Sequence, residues 1–196
     1  ELRNREKIIL FIDEIHMLMG SSGNGPMDLA NMFKEGLSRG TVKIVGATTS
    51  DEYDRYILRD KAFVRRFQKI EVAEPDAEMC VNILMRTVPK IEIQTGVKMT
   101  YPDYLKERIM KFIVNMTSEY KRVYEIQSRY PDVALTVLRQ AFSAALFDNK
   151  DVVNLKHVYT AIKETKAVYP DVVKKELKNF KAEFESELED EGIVLN

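Results

Sequence analysis

Apolar residues follow two different periods along this chain, and the change between them marks its organisation. Ile8-Ile9-Leu10-Phe11-Ile12 is a continuous apolar run, the mark of a strand buried on both faces of a parallel sheet. Gly20-Ser21-Ser22-Gly23-Asn24-Gly25-Pro26 reads as a loop by composition. Met27, Ala30, Met32, Phe33 and Leu37 then support a helix that ends near Gly40, and Val42, Ile44 and Val45 predict a second buried strand closed by Gly46. Residues 51–63 predict a helix with charged faces, and Phe67 to Val72 alternate as a third strand would. Strand, helix, strand, helix, strand implies a parallel α/β sheet.

Beyond Pro75 the apolar positions recur three and four apart, over 76–87, 102–119, 131–147 and 154–167. Leu105, Ile109, Phe112, Ile113 and Met116 make one such face, and Val133, Val137, Leu138, Ala141 and Ala145 another. Val97-Lys98-Met99 is the one strand-like interruption. A last stripe of Val173, Leu177, Phe180, Phe184 and Leu188 can form a coiled coil or pack on the preceding helices, and packing is the expectation. The expected division is an α/β part over 1–75, a helical domain over 76–168 and a helical extension over 169–196.

Composition narrows the function classes. With 30 Lys and Arg against 31 Asp and Glu, the chain has no global basic field, so a nucleic-acid partner is not expected. Tyr120-Lys121-Arg122-Val123-Tyr124 mixes basic and aromatic residues but reads better as an exposed helix end. No apolar run approaches the ~20 residues that cross a bilayer, so no membrane partner is expected. The lone Cys80 points to a reducing compartment, the cytoplasm or an organelle matrix. The chain opens on Glu1, in what reads as a charged helix running into a strand, and is expected to be a piece of a longer protein.

Candidate chemistry sits at the strand ends. Asp13-Glu14 follows the first strand directly, and the carboxyl tips of parallel strands face the crevice where such sheets bind ligands. One carboxylate there can hold Mg²⁺ and the next can polarise an attacking water; an acidic pair also ends strands with no such role. Thr48-Thr49 closes the second strand, where a hydroxyl can hydrogen-bond a γ-phosphate. Arg65-Arg66 precedes the third, where a guanidinium fork can meet phosphate or simply answer a helix dipole. His16 and His157 lie far apart with no cysteine pattern, which argues against zinc. Met17 and Met19 read as packing residues beside Glu14.

Taken together, Ile8–Glu14, Gly46-Ala47-Thr48-Thr49-Ser50-Asp51-Glu52-Tyr53, Arg65-Arg66-Phe67-Gln68-Lys69-Ile70 and Ala73-Glu74-Pro75 closely resemble the first ATPase module of Clp-type AAA+ chaperones. Met27-Asp28, Asn31-Met32 and Lys34 extend the resemblance almost continuously over 8–75. It implies an α/β fold: the C-terminal part of an AAA+ P-loop parallel-sheet core, followed by an all-α lid. It also implies roles. Asp13 resembles the Walker B aspartate that holds Mg²⁺, and Glu14 the glutamate that activates water. Thr49, with Thr48 as the substitute, looks like the sensor of the γ-phosphate. Arg65 and Arg66 look like arginine fingers for a neighbouring subunit, and Gly20–Pro26 lies where the family places a secondary pore loop. Tyr130-Pro131-Asp132-Val133-Ala134 is similar to the helix start near the nucleotide, which makes Asp132 a candidate contact. Val133 stands where the family usually carries a basic residue, so phosphate sensing from this helix is not implied.

No G-x-x-x-x-G-K-[ST] occurs in these 196 residues, and the family places that phosphate cradle upstream. The implied function is ATP hydrolysis in a homo-oligomeric ring, a hexamer when intact, that unfolds and threads protein substrates. ATP and Mg²⁺ are the implied cofactors, and a peptidase or adaptor is a possible partner. The alternative is a hydrolysis-deficient Clp-like scaffold or regulatory module. AAA+ loaders acting on DNA share the site chemistry, but the near-neutral charge argues against them.

Overall fold

The computed structural model describes residues 9–18, 43–124 and 129–195. The chain divides into two compact units, Glu1–Glu71 and Val72–Asn196. The Gly20–Pro26 loop and the helix expected from Met27 to Gly40 lie outside the described residues.

In the first unit, β1 (Ile9–Ile12) and β2 (Lys43–Gly46) pair in parallel, with Ile9 opposite Lys43 and Ile12 opposite Gly46. A 3-10 turn, Ile15–Leu18, follows β1. Helix α1 starts as Ser50–Glu52 and widens into a π turn over Tyr53–Ile57. Helix α2 spans Lys61–Val64. The single helix expected over 51–63 is therefore broken at Asp60, whose carboxylate accepts from the Ala62 and Phe63 amides and starts α2 afresh. A small core of Ile15, Ile57 and Phe63 holds these pieces together.

Three expectations for this unit need correction. Residues 67–72 form no strand, and Ile70 and Val72 are exposed. An alternating pattern becomes a strand only where a neighbour completes the ladder, and among the described residues none does. Nor is β1 buried on both faces, since Ile9 and Phe11 are 64% and 62% exposed. Met17 is exposed too, and so is not a packing residue.

The second unit is helical: α3 (Ala77–Thr95), α4 (Asp103–Met116), α5 (Asp132–Phe147), α6 (Leu155–Glu164), α7 (Pro170–Glu183) and α8 (Glu185–Asp190). Asp76 caps α3 by accepting the Met79 amide at 2.7 Å. Gly96 ends it at φ 76°, the left-handed position that glycine takes without cost. The faces expected on α4 and α5 are buried in one core with Leu84, Phe142 and Phe180, except Val133, which is buried but does not join that cluster. The C-terminal stripe packs into that same core: Phe112, Phe180 and Phe184 form an aromatic cluster with centroids 4.7–6.0 Å apart. Val97–Met99 contributes a single parallel bridge, Lys98 to Val152. Among the described residues no helix is long and apolar enough to cross a membrane.

The basic-aromatic stretch at 120–124 is not an exposed helix end throughout. Tyr120 and Tyr124 are exposed, but Arg122 is only 8% exposed. Its Nε donates to the Thr117 carbonyl at 2.8 Å and its Nη1 to Glu74 at 3.0 Å, and the guanidinium lies 4.5 Å from the Tyr130 ring centroid. Glu74 also accepts the Tyr130 amide at 2.7 Å. Burial pushes the Glu74 carboxyl up, but the Tyr130 amide and Arg122 outweigh it and hold it below its usual value.

Candidate functional site

The parallel register sets the site. With Ile12 opposite Gly46, Asp13-Glu14 and Thr48-Thr49 leave the same end of adjacent strands. The chains stay joined past the strands: the Ala47 amide donates to the Ile12 carbonyl at 2.9 Å, and the Ile15 amide to the Ala47 carbonyl at 3.0 Å. Asp13 and Glu14 are both exposed. Asp13 Oδ1 accepts the Glu14 amide at 3.0 Å, and Glu14 has φ 51°. A non-glycine residue in the left-handed region costs about 1–2 kcal/mol, and such residues gather at functional sites.

The two threonines converge on Glu52. Thr49 caps α1 in a capping box: its hydroxyl donates to Glu52 Oε2 at 2.8 Å and accepts the Glu52 amide at 3.3 Å. The Thr48 hydroxyl donates to the same oxygen at 3.3 Å. The Thr49 hydroxyl above all, then the Thr49 amide, His16 and Thr48, hold the Glu52 carboxyl below its usual value against the effect of burial.

His16 completes the cluster. Its Nδ1 lies 2.9 Å from Thr48 Oγ1, 3.2 Å from Glu14 Oε2 and 3.2 Å from Glu52 Oε2. The ring stacks on Tyr56 with centroids 5.7 Å apart. Glu14, His16 and Glu52 each offer a ligand atom within 4.8 Å of the others. An imidazole nitrogen suits transition metals better than Mg²⁺, which takes oxygen donors. The donor set that fits Mg²⁺ is thus the Asp13 carboxylate rather than this cluster. His16 and Glu52 were not singled out as site residues from the sequence, although Thr49-x-x-Glu52 carries the capping-box spacing.

Arg65 and Arg66 follow α2 and are exposed. The Arg66 guanidinium donates to the Ala62 carbonyl; among the described residues Arg65 forms no ion pair. Among the described residues neither forms a hydrogen bond or ion pair with Asp13 or Glu14. Asp132 lies exposed at the first position of α5, in the other unit, while Val133 beside it is buried.

No protein-family profile matches the chain. It is 38% identical over 199 residues to the ATP-dependent Clp protease ATP-binding subunit ClpE of Bacillus subtilis, a match covering 100% of this chain and 26% of that protein. It is 33% identical over 188 residues to the chaperone ClpB of Aquifex aeolicus, covering 95% of this chain and 17% of that one. Among solved structures it matches a closed-state cryo-EM reconstruction of Hsp104 with ATPγS and FITC-casein, at TM-score 0.66 and 35% identity, over 96% of this chain and 31% of that one. The chain therefore spans about a third or less of the length of these relatives. The two-stranded parallel sheet followed by helices, the strand-end carboxylates and these identities across nearly the whole chain converge: it belongs to the Clp/Hsp100 family of AAA+ ATPases.

Proposed function

We propose that this chain supplies the hydrolytic half of an ATP site in a ring-forming motor that unfolds and threads protein substrates. The observation that carries the reading is the register that brings Asp13-Glu14 and Thr48-Thr49 to one end of adjacent parallel strands. Glu14 is exposed and open to water. Its carboxylate takes a proton from the attacking water as the water oxygen bonds to the γ-phosphorus. The bond from that phosphorus to the β,γ-bridging oxygen breaks, leaving ADP and phosphate. Asp13 would hold Mg²⁺, which when bound neutralises phosphate charge. Thr49, or Thr48 in its place, reads the γ-phosphate with a hydroxyl now engaged by Glu52. Asp132 is assigned a nucleotide contact on the family resemblance of the 130–134 stretch. Homology supports protein substrates, since the Hsp104 structure carries casein; a reducing compartment suits the free Cys80.

Arg65 and Arg66 are assigned to the neighbouring subunit's site. Their exposure after α2 fits fingers that reach outward, and such arginines are worth about 10³–10⁵ in rate elsewhere. The test uses the full-length protein. Arg65→Ala or Arg66→Ala should abolish hydrolysis, and mixing that variant with Glu14→Gln should restore part of it, because some mixed sites then hold both a sound glutamate and a sound finger. With subunit exchange verified by differently tagged chains, a dead mixture overturns the assignment in trans.

A further inference from the structure

We propose that His16 is a positioning residue for ATP hydrolysis, holding the Glu14 carboxylate by a close polar contact at one end of a cluster that runs on to Glu52 and the Thr48-Thr49 pair. The inference rests on Glu14 being the water-activating base. Its basis is the convergence of three oxygens on one imidazole nitrogen. His16 Nδ1 faces Glu14 Oε2 and Glu52 Oε2, each at 3.2 Å, and Thr48 Oγ1 at 2.9 Å. Ionised carboxylates only accept hydrogen bonds, so the nitrogen between them must carry its proton. The Thr48 hydroxyl spends its own proton on Glu52 and presents a lone pair to the same N–H. The geometry therefore assigns the Nδ1–H tautomer.

The partners are unequal, and that decides what His16 does. Glu52 has other anchors: the Thr49 hydroxyl at 2.8 Å, the Thr48 hydroxyl at 3.3 Å and the Thr49 amide at 3.4 Å. The Glu14 carboxylate is 52% exposed and, among the described residues, meets no side chain but His16. Without that N–H, two like charges close to one another would face each other undivided, and Glu14 would swing toward water. His16 is itself fixed. Its side chain is 14% exposed and its ring stacks on Tyr56. The Ile15 amide beside it is tied to the Ala47 carbonyl. The result is a continuous path, Thr49–Glu52–His16–Glu14, between the residues assigned to reading the γ-phosphate and the residue assigned to activating water.

Two substitutions separate the N–H from the ring. His16→Phe keeps an aromatic ring on Tyr56 and has no donor. His16→Asn gives up the ring but places its amide nitrogen where Nδ1 was. In the full-length protein, ATP turnover and the affinity for a fluorescent ATP analogue are measured for both, alone and combined with Glu14→Gln. His16→Phe should lower kcat about 10–100-fold, the scale of a misplaced catalytic group, with nucleotide affinity within about twofold. His16→Asn should recover most of the rate. On the Glu14→Gln background neither should lower the residual rate further, because residues acting as a unit are not additive. Parental kcat in His16→Phe, equal damage from Asn and Phe, or full additivity with Glu14→Gln would overturn the proposal. Failure of the underlying reading looks different: Glu14→Gln alone would then turn over at the parental rate.

Discussion

Gly46 lies directly against Ile15: a β-carbon at position 46 would fall 2.5 Å from Ile15 Cδ1, 3.0 Å from Cγ2 and 3.2 Å from Cβ. The tip of an isoleucine can turn away, but its Cβ moves only with the backbone. Gly46 closes β2, and Ile15 sits between Glu14 and His16, so any displacement passes straight to the site. Gly46→Ala should destabilise the first unit by about 1–3 kcal/mol, the usual cost of overpacking, and lower hydrolysis in the full-length protein. Ile15→Val, which removes the Cδ1, should restore part of both. Thermal melts and turnover of the single and double variants check this; a neutral Gly46→Ala would mean the strand end adjusts freely.

Glu74 joins residues far apart in sequence by accepting from both Arg122 and the Tyr130 amide. Glu74→Ala takes the carboxylate partner from a buried guanidinium and an acceptor from a backbone amide. The expected loss is about 1–3 kcal/mol. Glu74→Gln keeps an oxygen for the amide but no charge for Arg122, and should fall between parent and alanine. Urea midpoints rank the three proteins; equal midpoints would show that the pair contributes nothing.

His157 makes the helical unit sensitive to mild acid. It is 2% exposed, and its Nδ1 accepts the Asn154 amide at 3.0 Å while Asn154 Oδ1 accepts the His157 amide at 3.3 Å, the capping box of α6. Its Nε2 faces Asp148 at 3.5 Å. Burial, first, and the nearby Lys156 and Lys150 lower its pKa, against the pull of Asp148. The neutral ring is therefore favoured in the folded state, and the unfolded chain takes up the proton first. The stability this adds is present above the unfolded value of about 6.5 and is lost as pH falls through the folded one. The carboxylates lowered in this unit, Glu74 and Glu176, act below their usual 4.5; Glu183, raised above it first by burial, gains stability as pH falls and opposes the decline that His157 causes. Unfolding free energy should decline from about pH 7 to 5, and the decline should be absent in His157→Phe; identical slopes would place the effect elsewhere.

The helical unit was legible because one core serves it all. Leu105 to Met116 and Val133 to Ala145 repeat at helical spacing and are buried, and a period can be read without knowing the partner. The third strand was misread because alternation reports a side-chain pattern, whereas a strand also needs a neighbour to bond. At the site, Asp13, Glu14, Thr48 and Thr49 stood out as polar residues ending apolar runs. His16 and Glu52 did not. Their meeting depends on the β1–β2 register, which brings together residues more than thirty positions apart. Arg122 was misjudged for the same reason: its partner Glu74 is 48 positions away.

The central claim is that Glu14 activates the water that attacks ATP, and one measurement addresses it directly. Glu14→Gln keeps the shape of the side chain and removes the base. In the full-length protein, single-turnover hydrolysis and nucleotide affinity are measured side by side for parent and variant. The account predicts affinity unchanged within about twofold and hydrolysis slowed about 10²–10⁴-fold, the usual contribution of general-base catalysis. Hydrolysis at the parental rate with nucleotide bound would contradict it.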